Sequence, residues 1–277
     1  MLLPLAQLPE VQRLERLATR LETPCGTDGT MVWRRWGKGP PLVLLHGGSG
    51  AWSHWLRTID TLAERYTVYA ADLPGCGESA LPPDARDADG IHETVAQGIA
   101  QLAAGVPVQL VAFSFGTMVA GFITATRPEL VAHLHLVGCA GLGLARPKLN
   151  LKSLGGVPPE GHEAIVRGNM ESLMVLHPRT LDDEALSLHY ANLQRDRLRR
   201  RRISRTPLTI ELQPRWQCPV HAIWGAGDIL IKHDSARLRE VLSGCDLRGL
   251  TLIEDAGHWA QYERAEAFNA VLLRGLA

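Results

Sequence analysis

Residues Leu110 to Ala120 read LVAFSFGTMVA, and this stretch decides the fold. Val108 to Ala112 is an apolar run of strand length, and the residues after Ser114 keep helical spacing to about Thr126. Small residues stand two before and two after the serine, Ala112 and Gly116. A sharp strand-to-helix turn needs such flanks, because larger side chains would collide with the neighbouring strand and helix. The serine oxygen is then left standing free, in the manner of a nucleophile elbow. The helix that starts there aims backbone N–H groups and its positive dipole end at any developing anion. Ala112 occupies the place of the first glycine in the usual Gly-x-Ser-x-Gly pattern.

Working upstream, Leu42 to Leu45 is a short apolar run, read as a buried parallel strand that ends in His46-Gly47-Gly48-Ser49-Gly50. Glycines there let backbone N–H groups approach a ligand closely. A phosphate loop is the rival reading, but no Gly-Lys-Ser/Thr follows. Trp52 to Arg65 reads as a helix, Thr67 to Ala71 as a strand, and Asp72 to Ser79 as a tight turn that Asp72 holds by bonds to backbone. Asp87 to Ala103 has helical character. Nearer the start, Val11, Leu14, Leu17, Ala18 and Leu21 give an amphipathic helix over 9–21, packed on its own domain or on a second copy. Thr27-Asp28-Gly29-Thr30 is a hairpin signal, with a strand from Met31 to Trp36.

Downstream of the elbow, His133 to Gly138 is a strand with His133 and His135 on one face. No carboxylate or cysteine stands near enough in sequence to complete a metal set, so no metal is expected. From Leu142 to Pro214 the strand–helix alternation stops. Pro158 to Leu176 and Leu181 to Arg202 read as helices inserted into an α/β body, giving a core of 1–141 and 215–277 around an insertion of 142–214. The basic run Arg195 to Arg205 lacks the aromatic interleaving of a nucleic-acid surface and reads as a solvated helix face or a subunit contact. Alternation resumes with Val220 to Trp224, Lys232 to Leu242, Leu250 to Ile253 and Gln261 to Leu276.

Global properties narrow the class. The 277 residues carry 29 basic and 29 acidic side chains, a formal net charge of zero. Nothing in that balance favours nucleic acid or an acidic substrate. Five cysteines, Cys25, Cys76, Cys139, Cys218 and Cys245, are scattered without metal spacing and read as thiols of a reducing compartment. The opening MLLPLAQLPEVQRL lacks a basic n-region and a sustained apolar stretch, and no apolar run is long enough to cross a membrane. The expectation is a cytoplasmic protein that takes a small-molecule substrate, with no nucleic-acid or membrane partner and with a homodimer left open.

Three strand ends carry chemistry in order: Ser114, Asp228 after Gly225-Ala226-Gly227, and His258 within Asp255-Ala256-Gly257-His258-Trp259. A serine hydroxyl is a weak nucleophile that needs a base, and the base needs an orienting group. Parallel strands bring their C-terminal ends to one rim of a sheet, where distant residues meet. Ser114 is thus the candidate nucleophile, His258 the base and Asp228 the orienting acid. The N–H groups of Gly48 and Phe115 are the candidate oxyanion hole. Asp255 and Asp234 are rival acids; Asp255 would share one loop with the histidine and more naturally caps it.

The order serine, acid, histidine and the stretches LLHGGSGAWSHW, DLPGCGES, VAFSFGTM and DAGHWAQYE resemble those of α/β-hydrolases. The likeness covers nearly the whole chain from about Met31. DAGHWAQYE, the spacing of the acid and the insertion are most similar to the meta-cleavage-product C–C hydrolases, which open vinylogous 1,5-diketones. The resemblance implies an eight-stranded, mostly parallel sheet with flanking helices, a helical lid over 142–214, an active site between them and no cofactor. Departures from that subfamily bear on the substrate. Phe113 stands where an asparagine usually precedes the nucleophile, His189 falls near the usual lid arginine, and Cys76 replaces a histidine between glycines. Ser49, Phe113, Phe115, Met174, His189 and Trp259 are the candidate pocket residues. Loss of a guanidinium and an amide removes charge-assisted bonds to a planar carboxylate. The expected activity is therefore hydrolysis of a small, mostly apolar carboxylic ester. C–C hydrolysis of a 2-hydroxy-6-oxo-dienoate is the alternative, and a ligand-binding protein on the same fold is the alternative of another class.

Overall fold

The computed structural model describes residues 2–145, 147–198, 201–231 and 235–277. Eight strands form one sheet: β1 (Thr19–Cys25), β2 (Gly29–Trp36), β3 (Pro41–Leu45), β4 (Thr67–Ala71), β5 (Val108–Phe113), β6 (Val131–Val137), β7 (Val220–Gly225) and β8 (Leu247–Ile253). Their spatial order is β1-β2-β4-β3-β5-β6-β7-β8. β2 pairs antiparallel with both β1 and β4, and every pairing from β4 to β8 is parallel. The short apolar runs 42–45, 108–113 and 220–225 are buried on both faces, as parallel strands between helix layers must be.

The helices are α1 (Pro9–Leu17), α2 (Ile59–Ala63), α3 (His92–Leu102), α4 (Phe115–Thr126), α5 (His162–Leu173), α6 (Asp183–Gln194), α7 (Leu208–Leu212), α8 (Ser235–Val241), α9 (Ala260–Glu263) and α10 (Ala265–Leu276). They cover both faces of the sheet. One apolar core gathers Trp33, Leu110, Met118 and Trp224, the other Leu44, Trp55, Val111 and Phe268. The α5, α6 and α7 stretch is a helical region inserted between β6 and β7, as the break in alternation foretold.

Several boundaries differ from the sequence reading. The first helix stops at Leu17, and Leu21 lies on β1, paired with Trp33. β1 was missed because Thr19, Arg20 and Glu22 leave it little apolar face, and Pro24 fits only an edge strand. The helix expected over Trp52 to Arg65 is a 3₁₀ turn (Trp52–Trp55) followed by α2. The Trp52 N–H is held by Asp72 Oδ1 at 2.9 Å, which sets the chain's direction there. The last helix breaks at Arg264 into α9 and α10. In the insertion, α5 runs from His162 to Leu173, and α6 ends at Gln194 rather than Arg202. The described residues of the basic run lie beyond the end of α6. Arg199 and Arg200 lie outside the described residues, as do the rival acid Asp234 and the helix start expected at Lys232.

Of the metal-like pair, His135 is packed into the sheet. His135 is buried, donates Nε2–H to Gln109 Oε1 at 3.1 Å and stacks on His221 with ring centroids 5.3 Å apart. Burial pushes its imidazole down to about 3.

Candidate active site

The site forms where β3, β5, β7 and β8 end. Ser114 follows directly on β5 and takes φ 50°, ψ −113°, a left-handed turn that a serine holds only because its neighbours fix it. Its N–H bonds to Val137 O at 2.8 Å, and α4 starts at the next residue. Gly116 must lack a side chain: a Cβ there would lie 2.6 Å from His46 O and 2.8 Å from Leu45 O. The small-x-Ser-x-Gly pattern is therefore a packing demand of β3 on α4.

Ser114 Oγ donates to His258 Nε2 at 2.9 Å, and His258 Nδ1 donates to Asp228 Oδ2 at 2.7 Å. The other Asp228 oxygen accepts the Leu230 N–H at 2.9 Å, so the carboxylate is held at both ends and is only 2% exposed. The His258 ring packs against Phe113, centroids 5.0 Å apart. Asp255 takes no part: its side chain is 70% exposed and faces Arg264 at 3.6 Å and His177 at 3.8 Å. A hydroxyl, an imidazole and a carboxylate in this chain can pass a proton from oxygen to nitrogen while the carboxylate fixes the tautomer.

Beside them lies a cavity of about 270 Å³. Gly48, Ser49, Phe113, Phe115 and Met174 line it, as the sequence reading expected. His189 and Trp259 do not. Trp259 is wholly buried, donates its indole N–H to His54 O at 3.1 Å and stacks on Tyr262. His189 is packed inside, and burial pushes its imidazole down to about 4, so it supplies no cation at neutral pH.

The cation comes from the basic run. Arg201 lines the cavity together with Ser114 and His258. Its side chain passes within 3.4 Å of where a Gly48 Cβ would stand, and its guanidinium carbon lies 5.2 Å from the centre of the Phe115 ring. Arg201 Nη2 donates to both oxygens of Asp196 at 2.7 Å, Ser49 Oγ donates to Asp196 at 2.7 Å, and Arg201 Nη1 reaches Ser49 Oγ at 3.3 Å. Arg201 Nε is buried with no partner among the described residues. Nearby, Arg197 N–H bonds to Gly75 O at 2.8 Å. The segment read as solvated is thus folded down on the glycine loop and the 72–79 turn. Asp196, only 6% exposed, is the reason. A lone acid inside a run of bases was the one sequence signal for it.

Leu151, Leu173, Arg201, Ser204 and Leu230 are shared with a wider hollow of about 710 Å³, whose rim carries Lys148 and Arg205 and, among the described residues, no carboxylate. Asp72 is structural, as expected: besides Trp52 it accepts the Glu78 N–H at 3.0 Å and the Arg34 guanidinium at 3.3 Å. No described helix is long and apolar enough to cross a membrane.

Known proteins resemble the chain as follows. The 2-hydroxy-6-oxononadienedioate/2-hydroxy-6-oxononatrienedioate hydrolase of Klebsiella pneumoniae subsp. pneumoniae is 27% identical over 261 residues, 85% of this chain and 86% of that one. The dihydrolipoyllysine-residue acetyltransferase component of the acetoin cleaving system of Pseudomonas putida is 31% identical over 245 residues, 85% of this chain and 63% of that one. The crystal structure of an alpha/beta hydrolase fold protein from Burkholderia ambifaria superposes with a TM-score of 0.73 at 22% identity, covering 93% of this chain and 97% of that one, a likeness of fold. Residues 42–271, from β3 into α10, match the Alpha/beta hydrolase family, and the chain belongs to that family of hydrolytic enzymes.

Proposed function

We propose that the chain is a serine-nucleophile hydrolase that cleaves the carbon–carbon bond beside a ketone in a small carboxylate-bearing substrate of the 2-hydroxy-6-oxo-dienoate type. The observation that carries this reading is Arg201 in the wall of the cavity that holds Ser114 and His258. The ester reading rested on the loss of a guanidinium and an amide from the pocket; Arg201, paired with Asp196 at 2.7 Å, restores a guanidinium to its wall. The Klebsiella relative, a hydrolase of such dienedioates, supports the same class.

The dienol first ketonises, which places a proton on the carbon next to the scissile bond. Arg201 holds the carboxylate end, where negative charge gathers. His258 takes the Ser114 proton as Oγ attacks the ketone carbon. The oxyanion is met by the N–H groups of Gly48 and Phe115, each such donor being worth about 10²–10³ in rate. The carbon–carbon bond breaks, the carbon leaving group takes a proton from His258, and water then frees the acyl group by the reverse steps. In this reading residues 142–214 are a lid over a core of 1–141 and 215–277. Cys25, Cys76, Cys218 and Cys245 are free thiols, which supports a cytoplasmic setting.

Esterase activity is the second reading. Phe113, buried against His258, favours it by supplying apolar surface in place of an amide. The test is kcat/KM of wild type and Arg201→Met on a 2-hydroxy-6-oxo-dienoate and on a short p-nitrophenyl ester. Wild type should exceed about 10⁴ M⁻¹s⁻¹ on the dienoate. Arg201→Met should lose about 10–100-fold on it, mainly in KM, and little on the ester. A wild type that prefers the ester, with the variant unchanged, makes the chain an esterase.

A further inference from the structure

The peptide groups on either side of His258 are both spoken for. The Gly257 N–H donates to Glu263 Oε2 at 2.7 Å, and the Trp259 N–H donates to Met174 O at 2.6 Å. Glu263 is the last residue of α9 and is only 7% exposed. Its carboxylate also accepts the Leu176 N–H at 2.9 Å and the His177 N–H at 2.7 Å. Met174, Leu176 and His177 belong to the stretch that leaves α5, and Met174 lines the cavity at Ser114. One buried carboxylate therefore joins the loop of the candidate base to a segment that supplies part of the pocket wall. We propose that Glu263 is a positioning residue, which locks the His258 loop to the inserted region so that base and wall keep one register; this rests on the serine-nucleophile reading above.

The joint is closely fitted. A Cβ at Gly257 would lie 2.5 Å from Leu176 N and 2.6 Å from Val175 C. Gly227, next to Asp228, donates its N–H to Ala256 O at 2.9 Å, and a Cβ there would lie 2.7 Å from Leu176 Cδ1. The loops of the acid and of the base thus meet the inserted region at one point. A carboxylate suits that point, because its two oxygens offer about four lone-pair sites, enough for N–H donors from two segments. A glutamine has one acceptor oxygen, and its amide nitrogen would face N–H groups that it cannot accept. The Thr180 hydroxyl differs: it lies 3.3 Å from Glu263 Oε1 and donates to His177 O at 2.7 Å, so it ties only the inserted region. Precision matters because His258 takes the Ser114 proton across 2.9 Å. A misplacement of about 1 Å costs on the order of 10²-fold in rate.

Glu263→Gln and Thr180→Val test this in the full chain, below the unfolding temperature of each. The first readout is the far-downfield proton resonance of the His258–Asp228 hydrogen bond, assigned by its loss in Asp228→Ala. In Glu263→Gln it should broaden or vanish. The second readout is turnover of whichever of ester or dienoate wild type accepts. Glu263→Gln should lose about 10–100-fold in kcat with KM within about threefold. Thr180→Val should keep both the resonance and kcat. An unmoved resonance in Glu263→Gln, or kcat within about twofold of wild type, overturns the proposal. So does an equal loss in Thr180→Val, which would make the effect a general loosening of the inserted region. If Glu263→Gln does not fold, Glu263→Asp decides by the same readouts, since it keeps the charge and shortens the reach by one carbon. The resonance is read without any substrate. A wild type that no fluorophosphonate labels at Ser114 would therefore sink the serine reading and leave this test standing.

Discussion

Ser114 and Arg201 face the same cavity, yet they reach it by opposite routes. Ser114 is placed by its own neighbours: a strand that ends at Phe113, a helix that starts at Phe115 and a glycine that clears β3. Arg201 is placed by Asp196, five positions before it, and through that acid by a residue far away in the chain. It sits beyond the end of α6, and what aims it is Asp196, itself fixed by Ser49 across 147 positions. The first kind of placement is written in a few adjacent residues. The second is written in complementarity between segments that a linear reading never sets side by side.

That contrast can be broken at its strongest point first. Asp228→Asn should lower kcat by about 10⁴ with little change in unfolding temperature, since it alters the His258 tautomer and not the packing. Ser114→Ala should be inert toward a fluorophosphonate that labels wild type at that residue. Asp255→Asn should behave as wild type. Loss of activity in Asp255→Asn with Asp228→Asn intact would mean that the rim was misread.

Acid should separate sheet from insertion. His189 on α6 and His135 on β6 are held neutral by burial, with pKa values of about 4 and about 3. In the unfolded chain a histidine titrates near about 6.5. Between the folded and unfolded values the unfolded state binds the extra proton. Stability is therefore full above about pH 6.5 and falls as pH drops toward about 4, with the His135 share still being lost toward about 3. Each group should contribute on the order of 2 kcal/mol. Urea unfolding of wild type and His189→Gln between pH 7 and pH 4 measures it: the variant should lose less stability over that span. Parallel curves would mean that His189 is hydrated in the folded protein.

The smallest effects belong to the bonds that hold Arg201. Asp196→Ala should cost about 1–3 kcal/mol of stability, because it strands a mostly buried guanidinium. It should also lower kcat/KM on the carboxylate substrate about tenfold, an effect of one to two hydrogen bonds. Ser49→Ala keeps the Asp196–Arg201 pair and should cost about 1 kcal/mol. Activity unchanged in both would make the segment a mere cover over the loop.

Much of the fold and part of the site could be read from the sequence for physical reasons. Strands β3, β4, β5, β6 and β7 are short apolar runs bounded by turns, and a doubly covered parallel sheet demands that. The order of Ser114, Asp228 and His258 was legible because each follows a strand at the same rim. β1 was illegible because an edge strand with a polar face has no such run. His189 and Trp259 are pocket candidates by family resemblance, but a matched position does not say which way a buried ring faces. Arg201 was lost in a basic run because the one local signal, the lone acid Asp196, does not say that it is buried against Ser49.

The long span of the candidate site also sets when its hydroxyl and imidazole can meet. Ser114 and His258 are 144 positions apart. During synthesis at about 5–20 residues per second, the elbow emerges on the order of ten seconds before its base. The loop at Gly48 likewise precedes Asp196 and Arg201. A nascent chain can therefore fold its elbow strand and helix and still hold an unactivated hydroxyl. Ser114 meets the imidazole of His258 only after β8 and the loop that follows it have been made.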